Sequence, residues 1–125
     1  MGTQQMMLVV LGMLLIGIAI AVGIFMFGAT SVQSNKDAIV EDIQNLSVDA
    51  LAFRSRPTAM GGGSGSFTGY AIPAKLVSNE NATYTTTVAA QAVTFVALSG
   101  QGYGSITTVL DSTGQLSNYT YSGQF

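Results

Sequence analysis

The polarity of this chain changes twice along its length. No position from residue 3 to residue 35 is Lys, Arg, Asp, Glu or His, and every residue from Met6 to Ala29 is apolar or small. At about 1.5 Å per residue, that run predicts a helix of roughly 36 Å, enough to cross a hydrocarbon layer of about 30 Å. From Ala29 to Arg56 no Pro or Gly interrupts the chain, and Pro57 supplies a stop. In this second stretch Val32, Ile39, Ile43, Leu46, Ala50 and Phe53 fall within about 80° of arc at 100° per residue. Asp37, Glu41 and Asn45 fall on the opposite side. The pattern predicts one continuous helix of about 50 residues, apolar all round in its first half and amphipathic in its second.

After "RPTAMGGGSGSFTG" the period changes to two. Tyr84, Thr86, Val88 and Ala90 alternate with threonines, which marks a strand. "AVTFVALSG", "SITTVL" and "QLSNYTY" read as three more, and Asp111-Ser112-Thr113-Gly114 is good hairpin chemistry between the last two. A sheet this small cannot bury much by itself, and the helical stripe needs a cover. The expected fold class is therefore α+β: a long N-terminal helix with a small antiparallel sheet packed on its C-terminal half. The expected division is 1–29 apolar helix, 30–56 amphipathic continuation, 57–66 Gly/Ser-rich flexible corner and 67–125 β head.

Composition sharpens this picture. Hydrophobic residues make up 48% and charged residues only 8%, with a net charge of −2 and all ten charged side chains between Lys36 and Asp111. Lys36, Arg54, Arg56 and Lys75 are too few and scattered for a phosphate-binding footprint, so no nucleic-acid site is expected. The chain has no Cys and no His, which removes thiolate metal sites, disulfides, the commonest general base and the commonest metal ligand. No cofactor, metal or catalytic residue is expected. The first residues, Met1–Gln5, lack the basic leader of a secretory signal, so the apolar segment is expected to be retained.

Gly12, Gly17, Gly23 and Gly28, with Ala19, Ala21 and Ala29, lower the side-chain volume along the apolar helix, and small residues let helix backbones approach closely in lipid. With this order of elements, the chain resembles a type IV pilin or pseudopilin. The resemblance implies a membrane-anchored monomer that polymerises through its apolar helix into an extracellular filament, with a separate assembly ATPase and platform protein as partners. Relatives usually carry a basic leader, cleavage after Gly and a Glu at the fifth mature position. Here Met7 or Gln5 takes that position, according to whether Met1-Gly2 is a leader, and neither is Glu. Archaeal pilin-like proteins and some minor pseudopilins also lack it. Thr3, Gln4 and Gln5 are the candidate register-setting groups in its place, because an unpaired polar group in an apolar bundle costs about 1–3 kcal/mol.

On this reading Met6, Leu8, Leu11, Gly12, Leu15, Gly17, Ile20, Gly23 and Phe27 pack the filament core. Val32, Ile39, Ile43, Leu46, Ala50 and Phe53 join helix to head. Sequons at Asn45, Asn81 and Asn118 are candidate glycosylation acceptors. Glu41, Asp42 and Asp49 are the clustered carboxylates, expected as solvated surface. "GGGSG" lacks the preceding strand, following helix and Lys of a phosphate loop. The aromatics on the helix are explained by packing. The expected function is a structural filament subunit. The alternatives are a non-polymerising membrane-tethered binding domain, or a minor pseudopilin of a secretion or uptake machine.

Overall fold

A computed structural model describes residues 2–125. The chain divides into two units, Met1–Gln33 and Ser34–Phe125. One helix, α1 (Thr3–Ser55), runs through the first from Thr3 and opens the second. Four strands follow: β1 (Ala82–Val88), β2 (Ala92–Ser99), β3 (Gly104–Asp111) and β4 (Leu116–Gly123). They form one antiparallel meander in the order β1-β2-β3-β4. The fold is α+β, with the sheet packed on the later turns of α1.

The head's core is one layer thick. Ile39, Ile43, Leu46 and Ala50 are buried on α1, and Phe53 packs on them half-buried. Opposite lie Tyr84, Val93, Phe95, Ala97, Ile106 and Leu110, which the strand alternation turns to the same face. Register pairs large with small: Tyr84 faces Ala97, which faces Ile106, and Phe95 faces Thr108. That alternation lets one helix lie close along the sheet. Val32 is half-buried and belongs to the first unit, outside this core. One turn before Ile39 the buried residue is the polar Asn35, so the expected stripe begins with a hydrogen-bonding group instead of a valine.

Two connections differ from expectation. The Gly/Ser-rich stretch is a helix cap, not a slack corner. The N–H groups of Gly63, Ser64 and Gly65 donate to the carbonyls of Phe53, Arg56 and Arg54 at 2.9, 2.9 and 2.7 Å. These are carbonyls near a helix C-terminus, some of which have no partner within the helix itself. A side chain at Gly63 would collide with the Ser66 carbonyl, so the glycine is required by close approach. The segment between cap and sheet adds two buried aromatics, Phe67 and Tyr70, that strand and helix periods do not flag.

The β3–β4 hairpin turns where expected. Asp111 Oδ1 accepts from the Thr113 and Gln115 N–H groups, and Gly114 sits at φ 93°. Beyond it β4 carries a bulge: the register shifts between Thr107 and Val109, and Asn118 adopts φ 54°. Asn tolerates that left-handed conformation better than most residues. The bulge moves the alternation by one, so Leu116 and Tyr119 both pack on the core and Tyr121 pairs with Ile106 on the same face. Fully buried Thr108 opposes the bulge and donates its hydroxyl to the Ser117 carbonyl at 2.9 Å.

Replacing Phe95 by Ala is expected to cost about 3–5 kcal/mol, because the single-layer core has little beneath it to collapse into the space. Denaturant unfolding of the full chain in detergent, followed by far-UV circular dichroism, would show the midpoint fall with the slope unchanged.

Candidate functional site

Two regions of the molecule ask for a function, and they differ in chemistry. The first is the surface of α1 from Met6 to Phe27. Met6 and Phe27 are 71% and 74% exposed, and Leu8, Leu11, Leu15 and Ile20 between them are exposed as well. Gly17 and Gly23 are exposed and Gly12 is half-buried; a Cβ built on any of these three meets nothing within 4 Å. An apolar surface this extensive is far larger than a water-soluble monomer usually shows. By length and composition α1 can cross a membrane. Thr3, Gln4 and Gln5 are exposed at its start, with no side-chain hydrogen bond among the described residues.

The small residues of this segment are not spread evenly. At about 100° per residue, Gly12, Ala19 and Gly23 fall within roughly 40° of one another. Gly17, Ala21 and Gly28 form a second such group, roughly 160° away round the helix. The helix therefore presents two low faces on opposite sides, each flanked by long aliphatic side chains.

The second region is a polar lock in the head. Asp42 Oδ2 accepts from the Tyr84 hydroxyl at 2.5 Å, from Asn79 Nδ2 at 2.9 Å and from Asn81 Nδ2 at 3.1 Å. Asn79 Oδ1 in turn accepts from the backbone N–H groups of Asn81 and Ala82, which shapes the entry to β1. A similar contact lies further along α1, where the Tyr70 hydroxyl donates to Asp49 Oδ2 at 3.0 Å. Above the core, buried Asn35 accepts from Ser99 Oγ at 2.7 Å and donates to the Asn81 carbonyl at 3.1 Å. Asn35, Asp42 and Asp49 all sit on α1; the first two meet at Asn81 and the third holds Tyr70.

This arrangement corrects three expectations. Asp42 and Asp49 are not solvated surface; they are half-buried acceptors for tyrosines of the head, whereas Glu41 is exposed as expected. Asn81 is half-buried with its amide nitrogen against Asp42, so it is a structural residue and a poor sugar acceptor. Asn45 and Asn118 are exposed. The spacing carried a signal that was open to reading: Asn35 continues the Ile39–Ile43 stripe by one turn, and Asp42 borders Ile43. Nothing local in the sequence marks Ser99 as a partner of Asn35, or Asn79 and Tyr84 as partners of Asp42.

Electrostatics follow the hydrogen bonds. Burial alone would raise the Asp42 carboxyl, but the donors Tyr84, Asn79 and Asn81 together outweigh it and hold the carboxyl below its ordinary value. Burial, and then the neighbouring carboxylates, push the hydroxyls of Tyr84 and Tyr70 well above the ordinary tyrosine value. The lock ties α1 to the sheet and to the segment that leads into it. No protein-family model, curated protein or solved structure matches this chain.

The lowered carboxyl makes head stability depend on acid. An unfolded Asp titrates near about 3.9. The contribution of Asp42 is then complete above that value and is lost as pH falls through the lower folded value. Asp111 in the hairpin, also lowered, by its bonds to Thr113, Gln115 and Gly114, acts in the same direction. Asp42→Asn is expected to cost about 1–3 kcal/mol at neutral pH and to flatten the acid limb. Thermal melts of the full chain in detergent between pH 2 and pH 7 would check both. Tyr70 and Tyr84 should stay protonated in the folded chain at a pH where a free tyrosine, near about 10, is ionised. Ultraviolet titration before and after unfolding reads that difference.

Proposed function

We propose that this chain is the repeating structural subunit of a type IV pilus-like surface filament. The observation that carries the reading is the charge-free surface of α1 from Met6 to Phe27, exposed on every side in the same helix whose later turns form the head's core. Before assembly that surface lies in the membrane, where the aliphatic side chains meet lipid. During assembly lipid is exchanged for the same segment of neighbouring copies. A helix of this composition has no hydrophobic incentive to leave lipid for other helices. Close backbone approach must supply the attraction, and the two opposed low faces offer it on both sides.

That two-sidedness favours a polymer over a pair. One low face would be satisfied in a dimer, whereas two opposite faces leave a vacant one on each added copy. Contacts of this head-to-tail kind generate an open helical assembly when each copy is also displaced along the axis, so that no ring closes. Thr3, Gln4 and Gln5 then enter the bundle as unpaired polar groups whose mutual hydrogen bonds fix the register. The heads, joined to this core through α1, form the outside. The energy for extraction comes from other proteins: an assembly ATPase and a platform protein are the partners this mode of assembly requires. The resting location is the membrane, and the final one the cell exterior.

Shearing cells and imaging the released material tests this directly. Filaments built mainly of this chain are the expected result. A chain that stays in the membrane fraction and extracts as a monomer would replace the filament reading with a tethered head domain. Gly17→Asp should abolish filaments, since a charge in the segment costs several kcal/mol in lipid and has no partner in the bundle. Electron microscopy of that variant, beside membrane-fraction immunoblots showing normal accumulation, reads the effect.

A further inference from the structure

Most of the few charges of the head are sorted by end. Asn35 bound to Asn81 and Ser99, and Asp42 bound to Asn79 and Asn81, define one end of the head. At or beside this end stand Asp37, Glu41, Asp42 and Glu80, with the base Lys36; Lys75 is exposed in the segment that leads to β1, and Asp49, further along α1, is held by Tyr70. The opposite end is defined by the α1 cap, where Arg54 Nη2 reaches Gln91 in the β1–β2 turn and Ser66 Oγ donates to the Ala90 carbonyl. Here stand Arg54 and Arg56, with Asp111 in the β3–β4 hairpin already held by its own turn.

Several of these charges already have partners inside the head. Lys36 lies over the Tyr121 ring at 4.2 Å, and Asp42 takes its three donors. The side chains of Glu41 and Glu80 at one end and Arg56 at the other are exposed, with no hydrogen bond or ion pair among the described residues. Arg54 reaches only a 3.5 Å contact with Gln91 and the face of Phe67 at 5.7 Å, and its Nε is buried without an acceptor. The head is thus acidic at the end where the helix enters it and basic at the end where the helix stops. The α1 turns between the two ends expose Gln44, Asn45, Val48 and Ala52, none of them charged.

We infer that the heads of successive copies meet end to end, with Arg56 of one copy placed against the Glu41–Glu80 end of the next. The inference rests on the filament reading, since a polar assembly is what makes unlike ends face each other. All copies in such an assembly point the same way, so every contact along it brings a basic end to an acidic one. An antiparallel pair would bring like ends together instead, and like charges set opposite one another are disfavoured. The sorting therefore selects polarity as well as contact. Exposed pairs of this kind are individually weak and are screened by salt, so they tune and orient an assembly whose cohesion comes from the apolar segment.

The test uses charge exchange in the full chain, expressed in its native cells, with sheared filament yield as the readout. Arg56→Glu alone, and Glu41→Lys with Glu80→Lys, should each cut the yield about tenfold. Combining all three substitutions should restore it to within about threefold of the unmodified chain. Thermal melts of each detergent-extracted variant are expected to match the parent, because all three side chains are exposed. Arg56→Gln, which puts no acid at the helix C-terminus, should give a partial loss. In parallel, sheared parent filaments should shorten as salt is raised from about 50 mM to 1 M. Reversal variants that assemble like the parent, a combination that fails to restore assembly, or filaments indifferent to salt would each overturn the pairing while leaving the filament reading standing. A parent chain that never forms filaments would overturn both.

Discussion

Everything in the head depends on contact between one helical stripe and one face of a sheet. Ile39, Ile43, Leu46 and Ala50 have no other surface to bury them, and Tyr84, Phe95, Ile106 and Leu110 have no second layer beneath. Neither partner is stable without the other. A helix in water holds its shape mainly through tertiary packing, and a small sheet needs a covered hydrophobic face. The mutual dependence fits the pairing of Tyr84 and Ile106 with Ala97, and of Phe95 with Thr108: a single helix can follow the sheet only if its surface is level.

Polar contacts do the work of alignment. Apolar packing resists sliding weakly, since one aliphatic residue fits much like another. Asn35, Asp42 and Asp49 lie on α1 at intervals of seven residues; the first two share Asn81 and also hold Ser99 and Tyr84, and the third holds Tyr70. Shifting the helix by a turn would break all three contacts together and leave buried polar groups without partners. The lock thus sets which turn of α1 lies over which strand.

Much of this was legible in the sequence, and the gaps have specific causes. The helix, its end near Pro57, the strands and the hairpin at Gly114 follow from period and turn chemistry, because those signals are local. The capping role of Gly63 was not legible, since glycine repeats read alike whether they are loose or pinned by carbonyls from the preceding helix. Tyr84 is legible as part of an alternating strand, yet its hydrogen bond to Asp42 spans 42 residues, a distance no periodic argument covers. Val32 continues the stripe by angle yet lies in the first unit, outside the head's core, and a stripe read from apolar residues alone passes over Asn35. Phe67 and Tyr70 lie in an irregular segment, where burial has no repeat to follow. For the apolar segment, the sequence and the structure carry nearly the same information: it is helical, uncharged and bare.

The bulge in β4 bears on how such a chain survives crowding. β4 is the outer strand of the meander, and its far side offers backbone donors and acceptors to any passing strand. Copies held side by side in a bilayer, or along a polymer, would meet such edges at high local density. The twist at Asn118 breaks the straight ladder that another strand would need for templating. A kink of one residue thereby steers neighbours away from amyloid-like sheet extension and leaves orderly association to other surfaces.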